Sequence, residues 1–513
     1  MAENISLTLK TDIAKQYKDS FIKMNPKNVA YVFLAKTLPY DDENTPDELN
    51  DSLAVEKQIW DNMYAAKKIV PGNIEFVLPR NTWANSTTYT QFDDTVNLAD
   101  LSNMYTITSE GNVYKCLCSN KNNPSTVEPT GDYTSSNGVI STADGYMWKY
   151  MYNVKASNKF LTENWMPVPY SASEVVPLDY NLNSSNYVDG GLNKIIVTDG
   201  GSGYVHTSGI PVNPFVAGSN FITITAGSTT EGVANNMFIS GVGIAARTYI
   251  TDVSTELNRI TLSNPTTGSG GGSNTVSVTT RVEIVGDGVK DSTATTVQLE
   301  NDTLYKISVT TTGIGFSKAN VIIHGTGTGA TARAVLPPKY GHGFYPAIEL
   351  GARHLMVVTR IGEVDSTEGD KISSNVSFRQ YGIVSNPHSY GNTSPILYDQ
   401  ANTVISQTLD ISLLSSGSYQ QNEKVYQFID GEETFYGYVN SQNTNIVKLT
   451  NTYGTLSIGS LLIGANSSVS RPVQSYQNPE FDPYSGQILY SKNIISVERS
   501  EGQAEEIKLV IHF

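Results

Sequence analysis

The run "ADGYMWKYMYNV", residues 143–154, decides the fold class. Asp144-Gly145 is a turn signal, and the residues after it alternate. Tyr146, Trp148, Tyr150, Tyr152 and Val154 fall on one side, and Met147, Lys149, Met151 and Asn153 on the other. A period of two is the mark of a strand. Each Tyr or Trp buries roughly 150–250 Å², so four on one face would dominate any core they joined. The opposite side, apolar at Met147 and Met151 with Lys149 between, suits a surface covered by another domain or subunit. Met147, Lys149 and Met151 are therefore the partner-interface candidates. Were the aromatics themselves exposed beside acids and amides, the same strand would be a sugar platform.

The neighbouring sequence shares this texture. From "IEFVLPRNTW" (residues 74–83) onward the period is mostly two, and "MYTITSEGNVYKCLC" (residues 104–118) reads as a hairpin turning at Glu110-Gly111-Asn112. Thirty tyrosines against nine methionines favour strands. Only two helices are legible, both early. Ile13, Tyr17, Phe21 and Met24 recur at helical spacing behind Thr11 or Asp12 as cap. A second helix is expected from Thr45, with Pro46 in its first turn and Glu48 completing a capping box, to about Lys68. "NVAYVFLAK" (residues 28–36) reads as a buried strand, and the proline-bearing residues 165–180 as an extended crossing segment.

Near residue 180 the chain turns Gly/Thr/Ser/Asn-rich. "KIIVTDGGSGY" (residues 194–204) is echoed by "KISVTTTGIGF" (residues 306–316), each a strand, a glycine-bearing turn and an aromatic. The expected architecture is mainly β: an irregular, elongated β-sandwich core with a few N-terminal helices, interrupted by two inserted small all-β domains. The core is read as residues 1–180, 341–405 and 476–513, the inserts as 181–340 and 406–475. Residues 506–513, "EIKLVIHF", alternate and read as a strand tied into a sheet.

Composition narrows the function. Charged residues are 16%, against about a quarter in ordinary domains. A formal net charge of −15 argues against non-specific nucleic-acid binding, which needs a Lys/Arg surplus. The two cysteines, Cys116 and Cys118, read as reduced thiols. The N-terminal stretch has no apolar run of signal-peptide length, and no stretch approaches the roughly 20 apolar residues of a membrane span. "GGSGY" fails the nucleophile-elbow pattern at Tyr204, and the six histidines are scattered. "GTGTGATA" (residues 325–332) has the glycines of a phosphate cradle but no Lys-Ser/Thr, and reads as a turn between strands. Asp199 and Asp287 lack the alternating acids of a calcium loop and read as turn formers. No catalytic, metal-ligating or cofactor-binding residue is assigned, and the expectation is a protein that is not an enzyme and needs no cofactor.

Several stretches carry a resemblance. "FVLPRNTW" at 76–83, "VYKCL" at 113–117, "DGYMWKYMYNV" at 144–154, "FRQYGIVSNP" at 378–387 and "GQILYSKNIISVERSEGQAEEIKLVIHF" at 486–513 occur in that order. The set resembles the gene-eight family of baseplate wedge proteins of T4-like contractile-tailed bacteriophages, over somewhat more than half of the chain. The resemblance implies a homodimeric structural subunit of the virion tail, made and assembled in the host cytoplasm. It would hold other wedge proteins around the hub and take part in the rearrangement on infection, with no nucleic-acid or membrane partner. The inserts have no counterpart in that resemblance and leave neighbours, tail-fibre attachment proteins and the host surface open as partners. The alternative from the aromatic stripe and the glycine-rich modules is a tail-associated protein that binds or degrades host-surface glycans.

Overall fold

The computed structural model describes residues 6–21, 28–37, 39–98, 103–132, 138–154, 159–170, 187–270, 274–289, 293–361, 376–392, 394–399, 404–500 and 503–513. The chain is mainly β, built from antiparallel sheets and one closed barrel, with three α-helices among the described residues. None of those helices is long and apolar enough to cross a membrane. There are two compact units, Met1–Val77 with Arg353–Phe513, and Leu78–Ala352. The sequence reading instead keeps residues 78–180 with the N-terminal core. The strand period is the same on both sides of Val77, and period does not say which strands pack together. The texture change near 180, residues 171–180 of the crossing segment and Met24 lie outside the described residues.

In the first unit a five-stranded sheet runs in the order Val404–Ser406, Met63–Lys68, Ala30–Ala35, Val376–Ser385, Gln487–Arg499. All six residues of the central strand Ala30–Ala35 are buried, as its unbroken apolar run predicts. Phe33 pairs with Gly382, where a Cβ would stand 2.1 Å from the Tyr490 carbonyl oxygen and 2.6 Å from the Phe33 ring, so the glycine makes room for both. Tyr31, Phe33, Trp60, Met63 and Phe481 share one core cluster. In a second sheet His354–Ile361 pairs with Ile74–Pro79 and with Glu505–His512. Residues 409–477 close a six-stranded barrel around Ile411, Val425, Val447, Leu449 and Leu462.

Both helices depart from the sequence reading. The first is Leu7–Ser20, capped by Ser6, whose side chain accepts from the Leu9 N–H. Its inward face is Thr11, Ala14 and Lys18, while Ile13 is exposed. Lys18 is drawn inward by Glu75, 2.6 Å away and buried. The second helix is Leu53–Asn62 with Ser52 as cap, and residues Met63–Lys68 are a strand paired to Ala30–Ala35. Thr45 serves a turn instead, its hydroxyl donating to Asp42. A buried strand partner outweighs helical spacing over those six residues.

The second unit contains the aromatic sheet, ordered Tyr105–Ile107, Asn112–Cys118, Met147–Asn153, Val139–Ser141. Gly111, at the expected hairpin turn, has φ +78°. A second four-stranded sheet is ordered Arg281–Gly286, Ala319–His324, Thr331–Val335, Lys194–Asp199, and Thr293–Glu300 forms a hairpin with Thr303–Thr312. Two three-stranded sheets within residues 207–279 enclose Ile222, Met237, Ile239, Ile260 and Val278. The internal repeat ends each time in a buried ring against glycine. A Cβ on Gly325 would lie 2.8 Å from the Tyr204 ring, and one on Gly288 would lie 2.6 Å from Phe316. Gly325 and Gly327 thus make room for Tyr204 between the strands Ala319–His324 and Thr331–Val335.

Candidate functional site

The aromatic strand has two faces with different environments. Tyr146, Trp148 and Tyr150 pack with Tyr89, Tyr114 and Cys116 in one buried cluster. Tyr146 stacks on Trp148 with centroids 5.4 Å apart, and Tyr89 meets Trp148 edge-on at 5.1 Å. This face is core, and no sugar can reach it. The run ends at an irregularity, since Tyr150 pairs with Tyr114 but Tyr152 with Val113. Tyr152 therefore leaves the stripe, and its hydroxyl donates to the Pro167 carbonyl at 3.0 Å.

The opposite face corrects the partner-interface expectation. Lys149 is 2% exposed and Met151 0%, so this chain's own packing covers both, and Met147 alone is half-buried. An alternating strand says that a face is covered but not by what.

What covers it is a sealed polar cluster. Lys115, directly opposite Lys149 in the ladder, is also fully buried. The Lys115 ammonium donates to His342 Nδ1 at 3.2 Å and to Glu349 Oε2 at 3.3 Å, and lies 3.8 Å from the centre of the Phe92 ring. Glu349 Oε1 accepts the Gly343 N–H at 2.7 Å. Burial works to raise the Glu349 pKa, but the Lys115 charge and the Gly343 N–H hold it below its usual range. Burial lowers the His342 pKa to about 4, aided by the charge on Lys115, so the ring is neutral and its Nδ1 accepts. Burial likewise lowers Lys149 to about 7, against the pull of Glu349 and with the push of Lys115. Burial lowers the Lys115 pKa as well, opposed by the charge of Glu349 and the hydrogen bond to it. With Lys115, Lys149, His342 and Glu349 all no more than 4% exposed, no substrate meets these groups, and the arrangement pins residues 342–349 to the sheet. Sequence reading missed Lys115, His342 and Glu349. The available signal was a lysine between apolar residues in both "VYKCL" and "MWKYM".

Asp199 forms the local turn expected of it, whereas Asp287 reaches across to a loop distant in sequence. Asp199 accepts the Gly201 N–H at 2.9 Å, and Asp287 accepts the backbone N–H groups of Ser317 and Lys318. Cys116 and Cys118 are free thiols.

A long sheet edge lies in the first unit. Strand Gln487–Arg499 runs thirteen residues, pairs with Val376–Ser385 along one side and ends its sheet on the other. Leu489, Ile495 and Val497 are 46%, 56% and 36% exposed. Between the pairs Phe378↔Val497 and Gln380↔Asn493 the strand carries extra residues, and Ile495 stands on that bulge. Lys492 and Glu498 flank it and are exposed. A long edge with apolar side chains is a template for another strand.

No protein-family model and no curated protein matches this chain.

Proposed function

We propose that this chain is a structural subunit of a contractile-tail phage baseplate wedge. In this reading it forms a homodimer, binds neighbouring wedge proteins around the hub, and takes part in baseplate assembly and its rearrangement on infection. It works without catalysis or cofactor, in the virion tail, after synthesis in the host cytoplasm. The observation that carries the reading is the thirteen-residue edge strand Gln487–Arg499 with its exposed Leu489, Ile495 and Val497. It lies within residues 486–513, one of the stretches that carry the resemblance to baseplate wedge proteins. An edge of this kind in a monomer invites aggregation, whereas in an assembly subunit it is covered by a partner. The strand is also self-complementary. Antiparallel pairing of two copies about Ile495 sets Lys492 of each opposite Glu498 of the other.

Light scattering on the purified chain and co-purification with the other tail proteins test the reading. The expected result is a dimer that enters a larger complex, with Lys492 protected from acylation on assembly. A strict monomer that captures no tail protein would overturn it.

A further inference from the structure

The edge strand Gln487–Arg499 is longer than a two-fold ladder can use. With Ile495 on the axis, Ser491 of one copy meets Arg499 of the other, so pairing runs from 491 to 499 only. Residues 487–490 stay outside that ladder, and among the described residues no strand pairs with them on the free side. A groove of about 190 Å³ runs along this stretch. One wall is residues 488–491 of the strand, and the other is residues 49–52 with the first turns of the helix Leu53–Asn62. Both walls are anchored. Val55 and Ile488 pack against the core cluster that contains Ile59. Asn493 Nδ2 donates to the Asp47 carbonyl at 2.9 Å, which ties the acidic segment alongside the strand.

The lining is apolar with a one-sided charge. Leu489 is 46% exposed and Val55 is half-buried, so each leaves apolar surface uncovered. Asp51 and Glu56 line the groove, and no Lys or Arg does. Residues 39–56 hold seven acids and no base. Among the described residues only Glu43 of these forms an ion pair, with Arg379. Lys492 lies just past the groove, and in the two-fold ladder it faces Glu498 of the other copy.

We propose that this groove takes an extended basic segment of a neighbouring subunit, added as a short strand along residues 487–490. An apolar side chain of the segment sits between Val55 and Leu489, with Lys or Arg two residues to either side. Residues two apart share a face of a strand, so the apolar residue that enters the groove brings both bases to the side of Asp51 and Glu56. The free N–H and C=O groups of a sheet edge are what such a segment pairs with. The unpaired carboxylates select a basic segment over an acidic one and repel nucleic acid and anionic lipid. The source of the segment rests on the wedge-subunit reading, whereas the groove's preference for it does not.

The test is fluorescence anisotropy of the full chain with a labelled, end-blocked peptide, Thr-Lys-Thr-Leu-Thr-Arg-Thr. Saturable binding that weakens as salt rises is expected. Asp51→Asn combined with Glu56→Gln should weaken it about tenfold. Leu489→Ser should weaken it as well, with melting temperatures unchanged in both variants. Lys492→Glu, which disrupts the dimer ladder, should still bind the peptide. The proposal is overturned if the peptide does not bind at millimolar concentration, or if a peptide with Glu in place of its Lys and Arg binds equally well. It is equally overturned if binding survives both the acidic double variant and Leu489→Ser. Loss of binding in Lys492→Glu would overturn it too, by placing the peptide on the ladder. A strict monomer that captures no tail protein but binds the peptide supports the groove and sinks the wedge reading alone. A dimer that enters the tail complex but ignores the peptide does the reverse.

Discussion

Lys115 and Lys149 face one another directly across an antiparallel ladder, and neither has appreciable contact with solvent. Like charges opposite one another destabilise a sheet. This pair is tolerated because Glu349 supplies one negative charge, 3.3 Å from Lys115, and because Lys149 gives up its proton readily. Replacing Glu349 with Gln removes the compensating charge and leaves the Lys115 ammonium buried without it. A loss of about 3–5 kcal/mol is expected, as for other broken buried pairs. Urea denaturation followed by tryptophan fluorescence, with Trp148 in the adjoining core, measures it.

The same cluster gives the protein a pH dependence with a definite sign. In the unfolded chain Lys149 keeps its proton up to its ordinary value of 10.5, whereas folded it releases it near 7. Between these values the unfolded state binds more protons, so rising pH favours the folded state. The penalty is largest below pH 7, where the lysine is charged in both states. Lys149→Met removes it. The variant should therefore gain stability over wild type at pH 6, gain less at pH 9, and show a flatter melting profile between. An unchanged profile in Lys149→Met would exclude Lys149 as the titrating group.

The mainly-β class, the buried strand at residues 30–35 and the hairpin at Gly111 were legible because period, apolar runs and turn residues are local. What lay beyond reading was pairing across long separations. Nothing near Lys149 in sequence reveals that Glu349, two hundred residues on, closes over it, so a face covered from within resembled one offered to a partner. Residues 63–68 read as helix because Ile59, Trp60 and Met63 share a spacing, yet their fate is set by the strand Ala30–Ala35 beside them.

Within the barrel, Glu423 is 1% exposed. Its carboxylate accepts the N–H groups of Gln420, Asn466 and Ser467 and the Ser467 hydroxyl. Burial alone would raise its pKa, but these donors hold it below the ordinary 4.5. The stability it contributes is present above that value and is lost as pH falls through the lower, folded value. Glu423→Gln should cost about 1–3 kcal/mol at pH 7 and flatten the acid limb of the unfolding curve. Amide hydrogen exchange at residues 464–469 locates the effect, and exchange there that matches wild type would exclude it.

The pairing of rings with glycines in the repeated segments can be tested by a double-mutant cycle. A methyl on Gly288 meets Phe316 ring atoms at 2.6 Å and no other residue's atoms among the nearest. Gly288→Ala should cost about 1–3 kcal/mol through overpacking. The same change in a Phe316→Ala background should cost much less, because the space is then open. Equal costs in both backgrounds would mean that the backbone at 288, rather than the ring, demands glycine.

The edge strand Gln487–Arg499 gives the sharpest test of self-association. With Ile495 on a two-fold axis, Lys492 of one copy faces Glu498 of the other, and the relationship occurs twice. Lys492→Glu places like charges opposite at both positions and should shift the chain toward monomer at low ionic strength, an effect that salt reduces. Glu498→Lys should do the same. The double variant, Lys492→Glu with Glu498→Lys, restores opposite charges in reversed order and should dimerise again. Sedimentation of the three variants separates this geometry from a general effect of charge on the edge. If the double variant stays as dissociated as the singles, the two residues do not face one another, and the strand meets its partner in another register.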